Sequence, residues 1–156
     1  MLQILTANKP QACYIFFNIS ANVGIGQRND PLDVELVQLG YACQAKNPKS
    51  TAPSDLKAIF AKVIPGQRYG GGASEPLSQA IQADQRHRRV LQDGHVSRMQ
   101  GGFSYGGRNG PAPFLLVTLN NHIYDVLSDA WPRIDKSPHC PPALSNAVRL
   151  ILRNES

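Results

Sequence analysis

Residues 18–41 read NISANVGIGQRNDPLDVELVQLGY. Gly24 and Gly26 lead through Asn29-Asp30-Pro31 into an apolar run. The stretch is either a phosphate-cradling loop that opens a helix or a helix start with a shaped approach. A Walker loop ends in Gly-Lys-Ser/Thr, and a dinucleotide fingerprint needs a third glycine inside a βαβ frame; this stretch has neither. It is therefore expected to be a helix start, with the glycines serving backbone geometry. Asp30 is placed to act as N-cap, Pro31 takes the first helical position and Asp33 falls in the first turn, all favourable at the positive helix end. Val34, Val37 and Tyr41 then recur on one face, with Leu36, Leu39 and Cys43 beside them.

Upstream, ACYIFFNI (12–19) is aromatic and β-branched, which predicts a short strand. Downstream, NPKSTAPS is a loop. Ser54 caps a second helix of about 10 residues, with Leu56, Ile59, Phe60 and Val63 on its apolar face and Pro65-Gly66 as its stop. After RYGGGA, Ser74 caps a third helix through about Arg89, with Leu77, Ala80, Ile81 and Asp84 on the inward stripe. A carboxylate on an apolar stripe needs a partner, and Arg88 at i+4 is placed to supply it as a structural ion pair. LQDGHV carries a turn at Asp93-Gly94, after which Val96 re-enters the core. MQGGFSYGGRNGPAP (99–113) is a glycine loop. A fourth helix is expected from about Pro113 to Ala130, stopped by Pro132, and Pro141 or Pro142 opens a last helix carrying Leu144, Val148, Ile151 and Leu152.

The chain of 156 residues suits a single domain, 1–156, able to bury a core without staples. With 13 glycines and 12 prolines, short helices joined by shaped loops are favoured over long coiled coils. Cys13, Cys43 and Cys140 form no CxxC pattern, and the expectation is buried reduced thiols. His87, His95, His122 and His139 show no HxxxH or HExxH spacing, so no metal and no cofactor is expected, and no catalytic residue stands out. The N-terminus lacks a secretory h-region or a membrane span. Synthesis in the cytoplasm follows, with export, if any, by a non-classical or contact-dependent route. Between residues 86 and 108, Arg86, Arg88, Arg89, Arg98 and Arg108 face one acid, Asp93, which predicts a basic surface suited to an anionic partner.

SANVGIGQRNDPLDVELVQLGY followed by LSQAIQADQRHRRVLQDGHV resembles the helical peptidoglycan-binding domain family. The match runs through Asp33, Val34, Val37 and Gln38 in the first helix, then Ala80, Ile81 and Gln85, then Asp93, Gly94 and Val96, and closes on Leu119 and Asn120. It spans about residues 18–121. The chain departs from the pattern at Leu39-Gly40-Tyr41, where the family has leucines, at Asp84, where it has an aromatic residue, and in an Arg/Gly-rich insertion, Arg98–Gly110. Restoring the aromatic by Asp84→Phe is expected to be better tolerated than Asp84→Ala.

The resemblance implies a mainly α fold: a small three-helix peptidoglycan-binding-domain-like bundle (18–121) with a short N-terminal strand and two additional C-terminal helices (122–156). It implies a non-catalytic cell-wall-binding module that receives the stem peptide or glycan of peptidoglycan in a groove by the third helix. Candidate contacts are Gln85, Arg89, Asp93, His95, Tyr105 and Asn120. The stem carboxylates would be drawn to the arginines. The alternative is a protein-interaction adaptor, chaperone or immunity-like partner of a secreted or phage-like cell-wall effector, using the glycine loop, Tyr124 and Trp131. Nucleic acid is disfavoured because only Phe103 and Tyr105 interleave with the arginines as stacking residues, and no membrane partner is expected.

Overall fold

The computed structural model describes residues 2–6, 15–100, 115–129 and 131–155. The architecture is mainly helical with two small two-stranded sheets. In chain order the elements are β1 (Gln3–Thr6), β2 (Ile15–Asn18), β3 (Val23–Gly24), α1 (Pro31–Lys46), α2 (Ser54–Phe60), α3 (Pro76–Arg88), β4 (His95–Val96), α4 (Leu115–Val126) and α5 (Pro142–Glu155). A 3₁₀ turn, Ile134–Lys136, precedes α5. β1 and β2 pair antiparallel, Gln3 opposite Asn18, and β3 pairs antiparallel with β4, Val23 opposite Val96. The partner strand β1 and the β3–β4 pair carry too few residues for a period-two signal and were not expected from the sequence.

α1 is the central helix. It packs on α4, α2, α5 and β3, and it is buried on more sides than the one predicted face, with Leu36, Val37, Gln38, Leu39, Gly40, Tyr41 and Cys43 all enclosed. Gly40 allows this: a Cβ there would lie 2.8 Å from the Cβ of Leu119, so α4 packs directly on the α1 backbone. Gly40 is thus the seat of a close helix contact. Tyr41 beside it is fully buried, its ring 5.1 Å from that of Phe60 and its hydroxyl donating to Asp84.

Asp30 holds the N-cap position of α1 with Pro31 following, but its carboxylate accepts from Ser20 and Arg28 instead of from its own helix. Asp33 accepts from the Ser20 and Ala21 backbone N–H groups and from the Ser20 hydroxyl, and so binds the incoming chain to the helix. α2 starts at Ser54 itself, with Pro53 as N-cap, and α3 starts at Pro76 with Glu75 as N-cap, one residue past the predicted cap Ser74. Glu75 instead takes the Gly70 and Gly72 N–H groups of the preceding turn.

Loops, strands and helices are held together by carboxamide side chains, each engaging backbone N–H and C=O groups of a neighbouring segment. Asn18 pairs with both backbone groups of Met99, Asn29 with those of Gly24, and Asn120 with those of Phe17. Gln38 spans Gly66 N–H and Gln67 C=O, and Gln85 spans Gly94 N–H and His95 C=O. An amide side chain offers one acceptor and two donors, so it substitutes for a neighbouring strand where none is available.

α4 continues through residue 121 without a break, and Leu144 and Val148 of α5 join the same hydrophobic cluster as Val34, Leu36 and Leu116. The C-terminal region also meets the N-terminal strand, Trp131 packing edge-on against Phe17 at 5.3 Å and against Tyr124 at 5.7 Å. Cys43 and Cys140 are buried free thiols; burial pushes Cys43 up to about 12 and Cys140 in the same direction. Cys13 lies outside the described residues. No described helix is long and apolar enough to cross a membrane.

Candidate functional site

The last turn of α3 and the β3–β4 pair meet at one end of the molecule, and the turn Asp93-Gly94 lies between them. α3 is closed by Arg89 in the left-handed conformation, φ 56°, with the Arg89 and Val90 N–H groups returning to Arg86 and Gln85 carbonyls. A left-handed non-glycine residue carries strain, and it turns the chain sharply off the helix. The turn is then fixed from beneath by Gln85, whose Nε2 donates to Asp93 Oδ1 at 2.8 Å and to the His95 carbonyl at 3.0 Å while its Oε1 accepts from Gly94 N. Asp93 Oδ1 also accepts from His95 N, and its Oδ2 stands 3.4 Å from His95 Nε2.

Gly24 is required by the same construction. Its φ is 147°, and a Cβ there would lie 2.3 Å from the Gly94 carbonyl oxygen. The approach glycine of the opening motif is therefore explained by backbone contact with the 94–95 turn. Gly26, φ 71° with open space around it, serves conformation alone.

Of the six candidate contacts, Arg89 and Asp93 are exposed, and His95 is partly exposed beside them. Gln85, at 2 % exposure, sits under the same turn and does not face solvent. Asn120 is fully buried on α4, committed to Phe17 and to the Leu116 carbonyl, and belongs to the attachment of β2. Both amides are therefore corrected from ligand contacts to framework: every hydrogen-bonding group they have is used internally. Tyr105 lies outside the described residues.

The arginines divide as well. Arg86 and Arg89 are exposed on the end of α3, with His87 between them in sequence and also exposed. Arg88 turns inward, its side chain 6 % exposed, and its Nε donates to Asp84 Oδ1 at 2.7 Å. Asp84 is fully buried and also accepts from the Tyr41 hydroxyl at 3.0 Å. The ion pair expected from the i+4 spacing is present, and the sequence did not disclose its third member. Burial raises the Asp84 carboxyl against the opposing pull of Arg88 and Tyr41, and burial next to Asp84 holds the Tyr41 phenol well above its ordinary value. Arg98 lies beyond β4, bonded through its backbone to Asn22 and through its guanidinium to Gln3. Arg108 is outside the described residues.

What remains at this end is a surface with two exposed guanidinium groups, an exposed imidazole, and an Asp93–His95 pair on a turn fastened by Gln85. Such a surface can bind carboxylates through the arginines and offer acceptors to amines or hydroxyls through Asp93. Among the described residues no group of three or more His, Cys, Asp or Glu side chains is arranged to hold a metal ion. No protein-family model matches the chain, and comparison with curated proteins and with solved structures gave no match.

Proposed function

We propose that the protein is a non-catalytic peptidoglycan-binding module that takes the carboxylate-bearing stem peptide at the end of α3. One observation carries the reading. Arg86 and Arg89 are exposed beside an Asp93–His95 turn locked by a buried side chain, so cationic and polar groups are presented on a rigid support. The resemblance over residues 18–121 supplies the polymer. Contacts are assigned to Arg86, Arg89, Asp93 and His95, with Gln85 acting on them only through the turn.

The test is co-sedimentation of the full chain with purified cell-wall sacs, with DNA as the competing polyanion. Binding at low salt should fall as the Debye length shortens from about 30 Å at 0.01 M to about 10 Å at 0.1 M, leaving a remainder on sacs and none on DNA. Arg86→Gln with Arg89→Asn, the latter tolerant of the left-handed backbone, should weaken sac binding roughly 2- to 30-fold, at about 0.2–1 kcal/mol for each exposed charge. No sedimentation with sacs at low salt, from folded protein, rejects the proposal and moves the weight to a protein partner.

A further inference from the structure

A second polar cleft, away from the end of α3, lies between the start of α1 and the segment Gly66–Tyr69. It encloses about 220 Å³ and is lined by Asn29, Pro31, Val34, Glu35, Arg68 and Tyr69, with Gly66 and Gln67 completing the wall. Ligand pockets for drug-sized molecules begin at about 300 Å³, so this one is sized for a smaller guest.

Its walls are pinned. Gln38 holds Gly66 N–H and Gln67 C=O from α1, the Tyr69 hydroxyl shares a hydrogen bond with Ser78 on α3 at 2.7 Å, and Asn29 is tied to Gly24 and Gln27. The polar groups of Asn29, the Gly66 amide and the Gln67 carbonyl are consumed by this fastening. The charged groups left in the cleft are one acid and one base. Glu35 accepts from the Leu144 N–H at the start of α5, but its Oε2 is buried with no hydrogen-bond partner among the described residues. Arg68 is exposed, and its guanidinium is near enough to Glu75 to help lower that carboxyl but forms no ion pair with it among the described residues.

We propose that this cleft binds a small amino-acid-type zwitterion, its ammonium meeting Glu35 and its carboxylate meeting Arg68. A carboxylate oxygen left without a donor is costly, and an ammonium is the donor that also matches its charge. Glu35 lines the cleft and is only partly buried as a residue; to meet the guest its carboxylate must turn from the Leu144 side into the cleft. Arg68 then selects a carboxylate by its planar fork, and Pro31, Val34 and the Tyr69 ring provide apolar wall for the connecting carbons. Burial already holds the Glu35 carboxyl above its ordinary value, and an ammonium would relieve that penalty. The inference stands on the cleft alone and does not depend on wall binding.

The experiment is an amide-resolved NMR titration of the ¹⁵N-labelled full chain with three matched probes: lysine, cadaverine, which lacks the carboxylate, and hexanoate, which lacks the amines. Lysine should give saturable shifts confined to residues 29–35 and 66–69. Each truncated probe should bind about tenfold more weakly, the loss of one charge-assisted contact. Glu35→Gln and Arg68→Gln should each weaken lysine to a similar degree with the rest of the spectrum unchanged. Absence of saturable shifts at these residues with lysine overturns the proposal, as does equal binding of all three probes by the unaltered chain. Sacs play no part in this titration, so its failure leaves the α3 reading untouched, and the reverse holds.

Discussion

Asp84 and Gln85 are neighbours on α3, buried to 0 % and 2 %, yet they hold different parts of the molecule by different physics. Asp84 joins two helices through charge: it is the acceptor for Arg88 on its own helix and for Tyr41 on α1. Gln85 joins a helix to a loop with an uncharged side chain, through backbone atoms nine or ten residues away and the Asp93 carboxylate. A buried charge that loses one partner leaves the other uncompensated, whereas a buried amide that is lost leaves one or two neutral orphans. The helix joint is therefore the more brittle of the two, and the loop joint is the one that shapes the surface.

The largest effect is expected from breaking the charged joint. Asp84→Ala should cost about 3–5 kcal/mol in urea denaturation, because the inward-turned Arg88 loses the carboxylate it is paired with. Asp84→Phe should be no better, against the expectation drawn from the resemblance, since Tyr41 already reaches this place from α1. Tyr41 and Asp84 are two ends of one contact. Tyr41→Leu combined with Asp84→Phe and Arg88→Leu should recover more than the single changes sum to, and strict additivity would show that the three side chains do not act as a unit.

The amide joint should fail more gently. Gln85→Ala orphans the buried Gly94 N–H and frees Asp93, for about 1–3 kcal/mol. Hydrogen exchange should rise at residues 93–96 and stay unchanged in α4. Asn120→Ala should cost a similar amount with the opposite map, loosening β2 near Phe17 and leaving the 93–96 turn protected. Loss of protection spread over both regions in either variant would mean that the amides are not separate fasteners.

These two joints also mark how far the sequence could be read. The helices were legible because apolar spacing, Pro31, Pro142 and the glycine stops state their periods and ends within a few residues. Asp84 was legible because a carboxylate on an apolar stripe is an anomaly, and its partner stands four residues on. Gln85 and Asn120 were not, because their partners are backbone groups of distant segments, Gly94, His95 and Phe17, which leave no trace in residue type. A buried glutamine looks the same in sequence as an exposed one that meets a ligand, and both were assigned to the ligand. Gly24 and Gly40 share the difficulty: the breaker is visible, but the backbone or leucine it admits is not. At the end of α3, Arg89, Asp93 and His95 were named from the resemblance and stand exposed or partly exposed, and the inward turn of Arg88 could be foreseen only through Asp84.

A smaller effect tests whether apolar packing rivals either joint. Gly40→Ala puts a methyl 2.8 Å from the Leu119 Cβ and should cost about 1–3 kcal/mol by overpacking. Helix propensity pulls the other way by nearly 1 kcal/mol. A net gain in stability would show that α4 can step back from α1, and Leu119→Ala in the same chain should then remove the difference.

The smallest effect sharpens the comparison through pH. Glu75 is a partly exposed fastener, taking two backbone N–H groups as a buried amide would, and those bonds lower its carboxyl from the ordinary 4.5. A lowered carboxylate contributes stability that is full above its unfolded pKa and disappears as pH falls through the folded one. Asp84 runs the other way. Its raised carboxyl penalises the charged form, so its cost is present above the folded pKa and is relieved as pH falls toward the unfolded one. Measured between about pH 6 and pH 3, Glu75→Gln should flatten the acid loss of stability slightly, and Asp84→Asn should steepen it while lowering stability at neutral pH. Equal slopes in both variants would mean that neither carboxyl titrates differently in the folded chain. Opposite changes would show that a carboxylate used as a loop fastener at the surface strengthens with ionisation, while the same group used as a helix joint in the core carries its charge at a loss.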